Sequence, residues 1–379
     1  MRDGWQTIPL RDAAVLHYGK ALRESDRAES GHVPVVGSAG TFSWHDEANV
    51  LTPSSIVVGR KGTAGSVTWF EGPVWVTDTA YWAEPTVEME LKYLHLALEG
   101  ANLGSLTAQT GVPGLNRDRA YALPVSLPPL PEQRRIVDLI GAVDDAIEAT
   151  AMSSRHIRAS RDCLVASLQG PLVHLGDLLE SIDAGKSPSG VERSPGPGER
   201  AVLKVSAIGS EGFRPQEAKV VPAETTLDPR TVVKAGDVLM VRANGVLKRV
   251  GVACMARRDH PDLFLSDKTL RLVPRVDRLD SEWLLGVLQT SQARAQLESR
   301  TTGSHMRNIS QAAIREIAVP APNLTEQRRC AEALAACASS TGLLARHAAA
   351  LSSLRTELLA TLLSGEHRIP QSYDELIGA

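Results

Sequence analysis

Two stretches of the chain repeat a mostly apolar residue at every seventh position. Ile136, Val143, Thr150, Ile157 and Leu164 form one series; Cys330, Cys337, Leu344, Leu351 and Leu358 form the other. Leu139, Ile140, Ile147 and Leu168 widen the first stripe, and Leu334, Leu354 and Leu362 widen the second. A seven-residue period held over this length predicts helices that pack as a coiled coil. Each helix of about 38 residues would span roughly 57 Å at 1.5 Å per residue. Such a helix is marginal alone in water, so the two are expected to pack on each other. With a globular segment between them, an antiparallel arrangement follows. Proline in each lead-in blocks extension backwards, and Glu132 and Glu326 in the first turns suit the helix dipole. Gly170 and Gly365 supply the stops.

Ahead of each helix the pattern changes to short β-type runs: Val33–Val36, Ile56–Val58, Ser66–Phe70 and Val74–Val76, then Val202–Val205, Val238–Val241, Val250–Cys254 and Leu270–Val273. Gly, Pro, Asn and Asp punctuate them. Leu91–Leu98 and Glu282–Leu297 read as helices, and the Ser-, Pro- and Gly-rich stretch from Ser187 to Glu199 as a loop.

The chain repeats itself. Leu127-Pro128-Pro129-Leu130-Pro131-Glu132-Gln133-Arg134-Arg135 returns as Val319-Pro320-Ala321-Pro322-Asn323-Leu324-Thr325-Glu326-Gln327-Arg328-Arg329. Gly111 and Asn116 precede the first copy as Gly303 and Asn308 precede the second. Ile8-Pro9-Leu10-Arg11-Asp12 echoes Val173-His174-Leu175-Gly176-Asp177, and the run from Ser55 to Gly62 echoes that from Asp237 to Gly245. Gly303-Ser304-His305-Met306 is read as native sequence, because Gly303 fills a repeat position. The order is domain, helix, domain, helix, with boundaries at 1–126, 127–170, 171–318 and 319–365 and a C-terminal tail at 366–379.

Composition narrows the function. Hydrophobic residues make up 43% of 379 residues, enough for real cores. No apolar run approaches the length of a membrane span, and the N-terminus lacks the apolar core of a signal peptide. Cys163, Cys254, Cys330 and Cys337 form no C-x-x-C pair, so reduced, packed thiols in a cytoplasmic protein are expected. Gly185-Lys186-Ser187 invites a phosphate-loop reading, but Glu180 stands where that motif needs glycine, and Pro188 opposes the helix start. The sequence shows no Asn-Pro-Pro-aromatic methyltransferase motif, metal-ligand spacing or nucleophile elbow. Asp144, Asp145, Asp259 and Asp262 read as solvated surface acids. The expectation is no catalytic residue, no metal site and no cofactor.

Binding chemistry remains. The formal net charge is −3, yet Lys234–Arg275 holds nine Lys or Arg against four acids, and Ser54–Phe70 holds Arg60 and Lys61 and no acid. The two basic clusters fall at matching points of the repeat, around glycines. Glycine lets a backbone approach a phosphate, Lys and Arg neutralise it, and Arg, Lys and Asn can read base edges. An ordinary basic surface is the alternative. The candidate DNA contacts are Arg60, Lys61, Thr63 and Ser66 in the first domain, with Arg242, Asn244, Lys248, Arg249 and Lys268 in the second. Asn116, Arg117, Arg307 and Asn308 either touch DNA or cap structure. Arg155, Arg158 and Arg161 are candidates for docking a partner.

These features resemble the specificity subunit of type I restriction–modification systems over essentially the whole chain. The resemblance rests on the two Pro-rich Glu-Gln-Arg-Arg helix starts, on Val33-Pro34-Val35-Val36-Gly37-Ser38-Ala39-Gly40, on Gly59-Arg60-Lys61-Gly62-Thr63-Ala64-Gly65 and on Thr77-Asp78-Thr79-Ala80-Tyr81. The second domain departs from the pattern, with Val241-Arg242-Ala243-Asn244-Gly245 in place of the Gly-Arg-Lys-Gly form. The resemblance implies an α+β fold: two mixed α/β target-recognition domains separated by a pair of long antiparallel coiled-coil helices, in a pseudo-two-fold repeat. It implies a non-catalytic subunit that reads a split site in double-stranded DNA, with the helices fixing the spacer. Two methyltransferase subunits, and two restriction subunits where present, would be its partners. S-adenosylmethionine, ATP and magnesium would belong to those partners. An interaction scaffold that binds only protein is the competing reading.

Overall fold

In the computed structural model, residues 4–107, 114–168 and 170–377 are described. Gly111, placed in the repeat above, and Gln169 lie outside them. The fold is α+β and forms two compact units, 1–146 with 351–379, and 147–350.

The first unit opens with the strand Gln6–Pro9, paired antiparallel to Pro124–Leu127. A single helical turn, Leu10–Ala13, leads into a four-stranded sheet ordered Ala14–Tyr18, Ala80–Pro85, Ser54–Gly59, Val67–Glu71. A smaller sheet sets Val33–Gly37 antiparallel to Gly40–His45 and parallel to Trp75–Val76. Alternating apolar residues give each sheet a buried face: Leu16, Ile56 and Val58 join Leu94 and Leu98 of the helix Leu91–Gly100. Burying such a side chain contributes about 1.5–3 kcal/mol.

The second unit has the same plan. Leu172–His174 pairs with Ala318–Pro320. Its four-stranded sheet runs Leu179–Ala184, Thr269–Pro274, Val238–Val241, Ala253–Met255. Its smaller sheet sets Ala201–Leu203 antiparallel to Ala218–Val220 and parallel to His260–Phe264, which also pairs with Val232–Val233. Buried aromatics match as well. The Tyr93 hydroxyl donates to the Ser126 carbonyl at 2.6 Å, and the Trp283 indole donates to the Pro320 carbonyl at 3.1 Å. Each satisfies its polar tip on the strand that leads into a long helix.

The long helices are Leu130–Ser167 and Leu324–Ser364. Asn323 caps the second: its side chain accepts from the Glu326 N–H at 3.1 Å, and its amide donates to the Glu326 carboxylate at 2.8 Å. Gly365, at φ +75°, ends that helix, whereas the first ends before Gly170. In the first unit the two helices run antiparallel. Asp144 meets Arg355, and nearer the helix start Arg135 meets Asp374 just past the helix end. Ile136 and Ile140 pack there with Leu359, Leu362 and Ile369. In the second unit Val165 shares a core with Cys330 and Leu334.

Several expectations change. Glu282–Leu297 is two helices, Ser281–Leu288 and Ser291–Ser299, because Thr290 turns and caps the second through the Ala293 N–H. Val202–Val205 and Val250–Cys254 are strands only in part, Ala201–Leu203 and Ala253–Met255. Leu354 is half exposed and leaves the stripe. Asp144 is ion-paired with Arg355. The pairing of Asn116 with Asn308 is out of step by two residues. Asn116 caps the turn Arg117–Tyr121, and the matching cap of Gln311–Arg315 is Ser310.

Candidate nucleic-acid interface

In the first domain the strands Ala14–Tyr18 and Ser54–Gly59 both pair with Ala80–Pro85, at Tyr18 with Tyr81 and at Gly59 with Ala80. The first two strands end, and Ala80–Pro85 begins, at one corner of the sheet. Beyond Tyr18, the Gly19 N–H donates to the Ala80 carbonyl at 3.2 Å and the Lys20 N–H to that of Val76 at 2.9 Å. The N–H groups of Arg60 and Lys61 both donate to the Thr79 carbonyl, at 2.9 and 3.1 Å, and the Leu115 N–H returns to the Arg60 carbonyl at 2.8 Å. The Arg60 guanidinium donates to the Asp78 carbonyl at 2.9 Å, pinning the turn that carries Thr77–Thr79.

This same guanidinium lies 4.9 Å from the centre of the Tyr18 ring, and that of Arg117 lies 4.8 Å from it. The half-exposed ring thus carries two cations, an attraction of about 0.5–1 kcal/mol each at exposed sites. Burial, then the hydrogen bond with Tyr18, push the Tyr81 hydroxyl above its ordinary pKa, so it stays protonated. Lys20, Lys61, Thr63 and Asp78, in the segments that meet at this corner, are exposed. Ser66 turns inward, donating to the Ser38 carbonyl at 2.6 Å.

The second domain repeats the scaffold and changes the side chains. Beyond Ala184, the Gly185 N–H donates to the Ser266 carbonyl at 3.1 Å. The Arg242 N–H donates to the Lys268 carbonyl at 2.9 Å, and the Ile309 N–H to that of Arg242 at 3.1 Å. The Arg242 guanidinium reaches the Asp267 carbonyl at 3.4 Å, as Arg60 reaches that of Asp78. Ala243–Asn244 pairs with Arg307–Asn308, and in the first domain Lys61 bridges Gly114. Arg307 donates to the Gly245 carbonyl at 3.0 Å. Lys186, Lys248 and Lys268 are exposed. Arg249 points inward and donates to the carbonyls of Val205 and Ile208.

The predicted residues thus divide. Arg60 and Lys61 gather at one corner, and Arg242, Asn244 and Lys268 gather at its counterpart. Thr63 and Lys248 lie in the loops that leave these corners, and the polar atoms of Ser66 and Arg249 are engaged inside their domains. Arg117 belongs to the first corner and Arg307 to the second, whereas Asn116 serves as a helix cap. Arg155 and Arg158 are exposed on the first long helix; Arg161 is not outward-facing, being buried and paired with Asp162 at 3.1 Å.

Lys20 and Lys186 were missed. The dipeptides Gly19-Lys20 and Gly185-Lys186 recur directly after the first strand of each four-stranded sheet, and this recurrence is the sequence signal that points to both lysines. Glycine is required at both places. A Cβ on Gly19 would sit 2.1 Å from the Thr77 carbonyl oxygen, and one on Gly185 would sit 1.8 Å from that of Leu265. Among the described residues no cluster of His, Cys, Asp and Glu suits a metal ion, and no helix is long and apolar enough to cross a membrane.

Comparison with known proteins agrees with this architecture. Residues 2–155 match the family model of the type I restriction modification DNA specificity domain. The chain is 32% identical over 151 residues to the type I restriction enzyme EcoEI specificity subunit of Escherichia coli, an alignment covering 39% of this chain and 25% of that protein. It is 20% identical over 297 residues to the type I restriction enzyme MjaVIII specificity subunit of Methanocaldococcus jannaschii, covering 73% and 70%. The crystal structure of the type I restriction-modification S subunit from M. genitalium superposes with a TM-score of 0.61 at 16% identity, over 95% of this chain and 96% of that one.

Proposed function

We propose, from the match of residues 2–155 to the type I restriction modification DNA specificity domain model and from the fold shared with an S subunit, that this protein reads a two-part DNA sequence for a type I modification complex. Each domain takes one half-site, and the long helices fix the unspecified spacer. Methyltransferase subunits dock on the chain, bring S-adenosylmethionine and methylate adenine in each half-site; restriction subunits, where present, bring ATP-driven cleavage. The chain itself performs no reaction.

One observation carries this reading. Two sheet corners share their backbone hydrogen bonds, from Arg60 to Thr79 and from Arg242 to Lys268, yet present different exposed side chains. A common frame with unlike readers suits two different half-sites. Phosphate contacts fix register and base-edge contacts carry sequence, so such corners need both cations and hydrogen-bonding side chains. Arg155 and Arg158, exposed on the first long helix, are the candidate docking residues.

The test is DNA binding by the chain purified with its methyltransferase. Affinity for duplex DNA should fall steeply with salt, and Lys61→Ala with Lys248→Ala should weaken it. An assembled complex whose DNA affinity ignores both salt and these substitutions would instead be a protein-binding scaffold.

A further inference from the structure

The two corners can be compared position by position. Some features are the same in both. A Gly-Lys pair follows the first strand, at Gly19-Lys20 and Gly185-Lys186, with the glycine forced against a carbonyl and the lysine exposed. An arginine, Arg60 or Arg242, holds the carbonyl of the aspartate in the facing turn, Asp78 or Asp267. In the second corner the carboxylate of that aspartate is occupied by the Ser187 hydroxyl. Other positions differ. Lys61 is replaced by Ala243, Gly62 by Asn244, Thr79 by Lys268 and Gly114 by Asn308, which is joined in a short ladder by Arg307.

A residue that is identical in two domains cannot distinguish two different half-sites. It binds what both half-sites share, and the phosphate backbone is shared whatever their letters. Residues at the same corner that differ are free to read bases. Arg60 and Arg242 are identical too, but they are half-buried and each gives one hydrogen bond to a turn carbonyl, whereas Lys20 and Lys186 are the shared cations that stand exposed. We propose that the corners are divided accordingly: Lys20 and Lys186 seat DNA phosphates in both half-sites, while Lys61 in the first domain and Asn244, Lys268 and Arg307 in the second read base edges.

This assignment rests on the DNA-reading function proposed above and goes beyond it by giving each residue a task. Asn suits an adenine edge and Arg or Lys a guanine edge, through paired donors and acceptors in the major groove. The Asn244 side-chain oxygen accepts the Val246 N–H at 2.9 Å, which leaves its amide N–H groups to donate to a base acceptor beside Lys268 and Arg307, and the first corner has Lys61. A lysine on a phosphate acts as a point charge and carries no sequence preference.

The experiment uses the full chain with its methyltransferase, and a duplex carrying the motif that the wild-type complex methylates. Lys20→Gln and Lys186→Gln should each weaken binding while leaving every letter of the methylated motif unchanged. Each should also flatten the plot of log affinity against log salt by about 0.9, the loss of one phosphate contact. Lys61→Ala should relax the motif in one half-site only, and Asn244→Ala or Arg307→Ala in the other half-site only. The assignment is overturned if Lys20→Gln or Lys186→Gln changes motif letters, or leaves the salt slope unaltered while the wild-type slope is steep. It is equally overturned if the Asn244 and Arg307 variants weaken binding without relaxing either half-site. A wild-type complex that binds DNA without salt or sequence dependence would remove the underlying function as well, an outcome separate from these.

Discussion

The side-chain carbonyl of Gln133 accepts the backbone N–H of Glu90 at 2.9 Å, and its amide donates to the Pro128 carbonyl at 2.8 Å. Glu90 is the cap of the helix Leu91–Gly100, so a single buried amide ties the start of that helix to the start of the long one. Gln327 does the same in the second unit. It accepts from the Asp280 N–H at 2.8 Å and donates to the carbonyls of Pro322 and Arg278. The most recognisable motif of the repeat, Glu-Gln-Arg-Arg, is thus a structural joint in both copies.

Gln133→Ala or Gln327→Ala leaves a backbone donor and acceptor without their partner inside the protein. The expected loss is about 1–3 kcal/mol for each substitution. Urea unfolding of each variant checks this, and a change within experimental error at both sites would show that the joint carries no stability.

Gly19→Ala and Gly185→Ala place a methyl group against fixed backbone, 2.1 Å from the Thr77 oxygen and 1.8 Å from the Leu265 oxygen. Forced overpacking of this kind costs about 1–3 kcal/mol. Thermal melting should show both variants destabilised, whereas a Gly40→Ala control, with open space around the added carbon, tests only its positive φ. Unshifted melting of the Gly19 and Gly185 variants would mean that the strand ends move apart freely.

Cysteine reactivity should follow burial. The Cys254 thiol is buried and pushed up to about 12, while Cys163 is exposed on the first long helix. The thiolate is the reacting form, so iodoacetamide at pH 8 should label Cys163 in the folded protein and Cys254 only after denaturation. Mass spectrometry of timed digests reads the order. Early labelling of Cys254 would contradict its packing.

The tail after the second long helix should loosen in acid. Arg135 holds the Asp374 carboxyl below its ordinary value of 3.8 through two hydrogen bonds of 2.6 Å. A lowered folded-state pKa means that this contact contributes fully above the ordinary carboxylate range and fades as pH falls through the lowered value. Hydrogen-exchange protection of residues 366–375 should therefore drop below about pH 4, with a carboxylate's reference pKa near 3.9, before the strand Ser54–Gly59 is exposed. Asp374→Asn should show the weaker protection already at neutral pH. Protection that is the same at both pH values would contradict the role of this pair.

Much of the fold was legible because it depends on periodicity. The heptad stripes and proline lead-ins marked both long helices, and β-type runs marked inner strands such as Ser54–Gly59 and Val238–Val241 but not Ala14–Tyr18, Ala80–Pro85 or Leu179–Ala184. What failed depended on single side chains in three dimensions. Thr290 splits a run that looks continuous, and a cap supplied by Asn116 in one copy comes from Ser310 in the other. The corner was legible at Arg60, Lys61, Arg242 and Asn244 through local charge. Tyr18 and Arg117 lie far apart in sequence and meet only when the strand Ala14–Tyr18 and the turn Arg117–Tyr121 are folded together. Ser66 and Arg249 looked available because sequence does not show that the Ser38, Val205 and Ile208 carbonyls face them.

The most direct test of the central claim is a genome-wide map of methylated adenine in cells carrying this chain with its methyltransferase, compared with cells lacking the chain. The expected map shows a motif of two specified blocks separated by a stretch of fixed length and free sequence, methylated only when the chain is present. A contiguous motif, or methylation that persists without the chain, would contradict it.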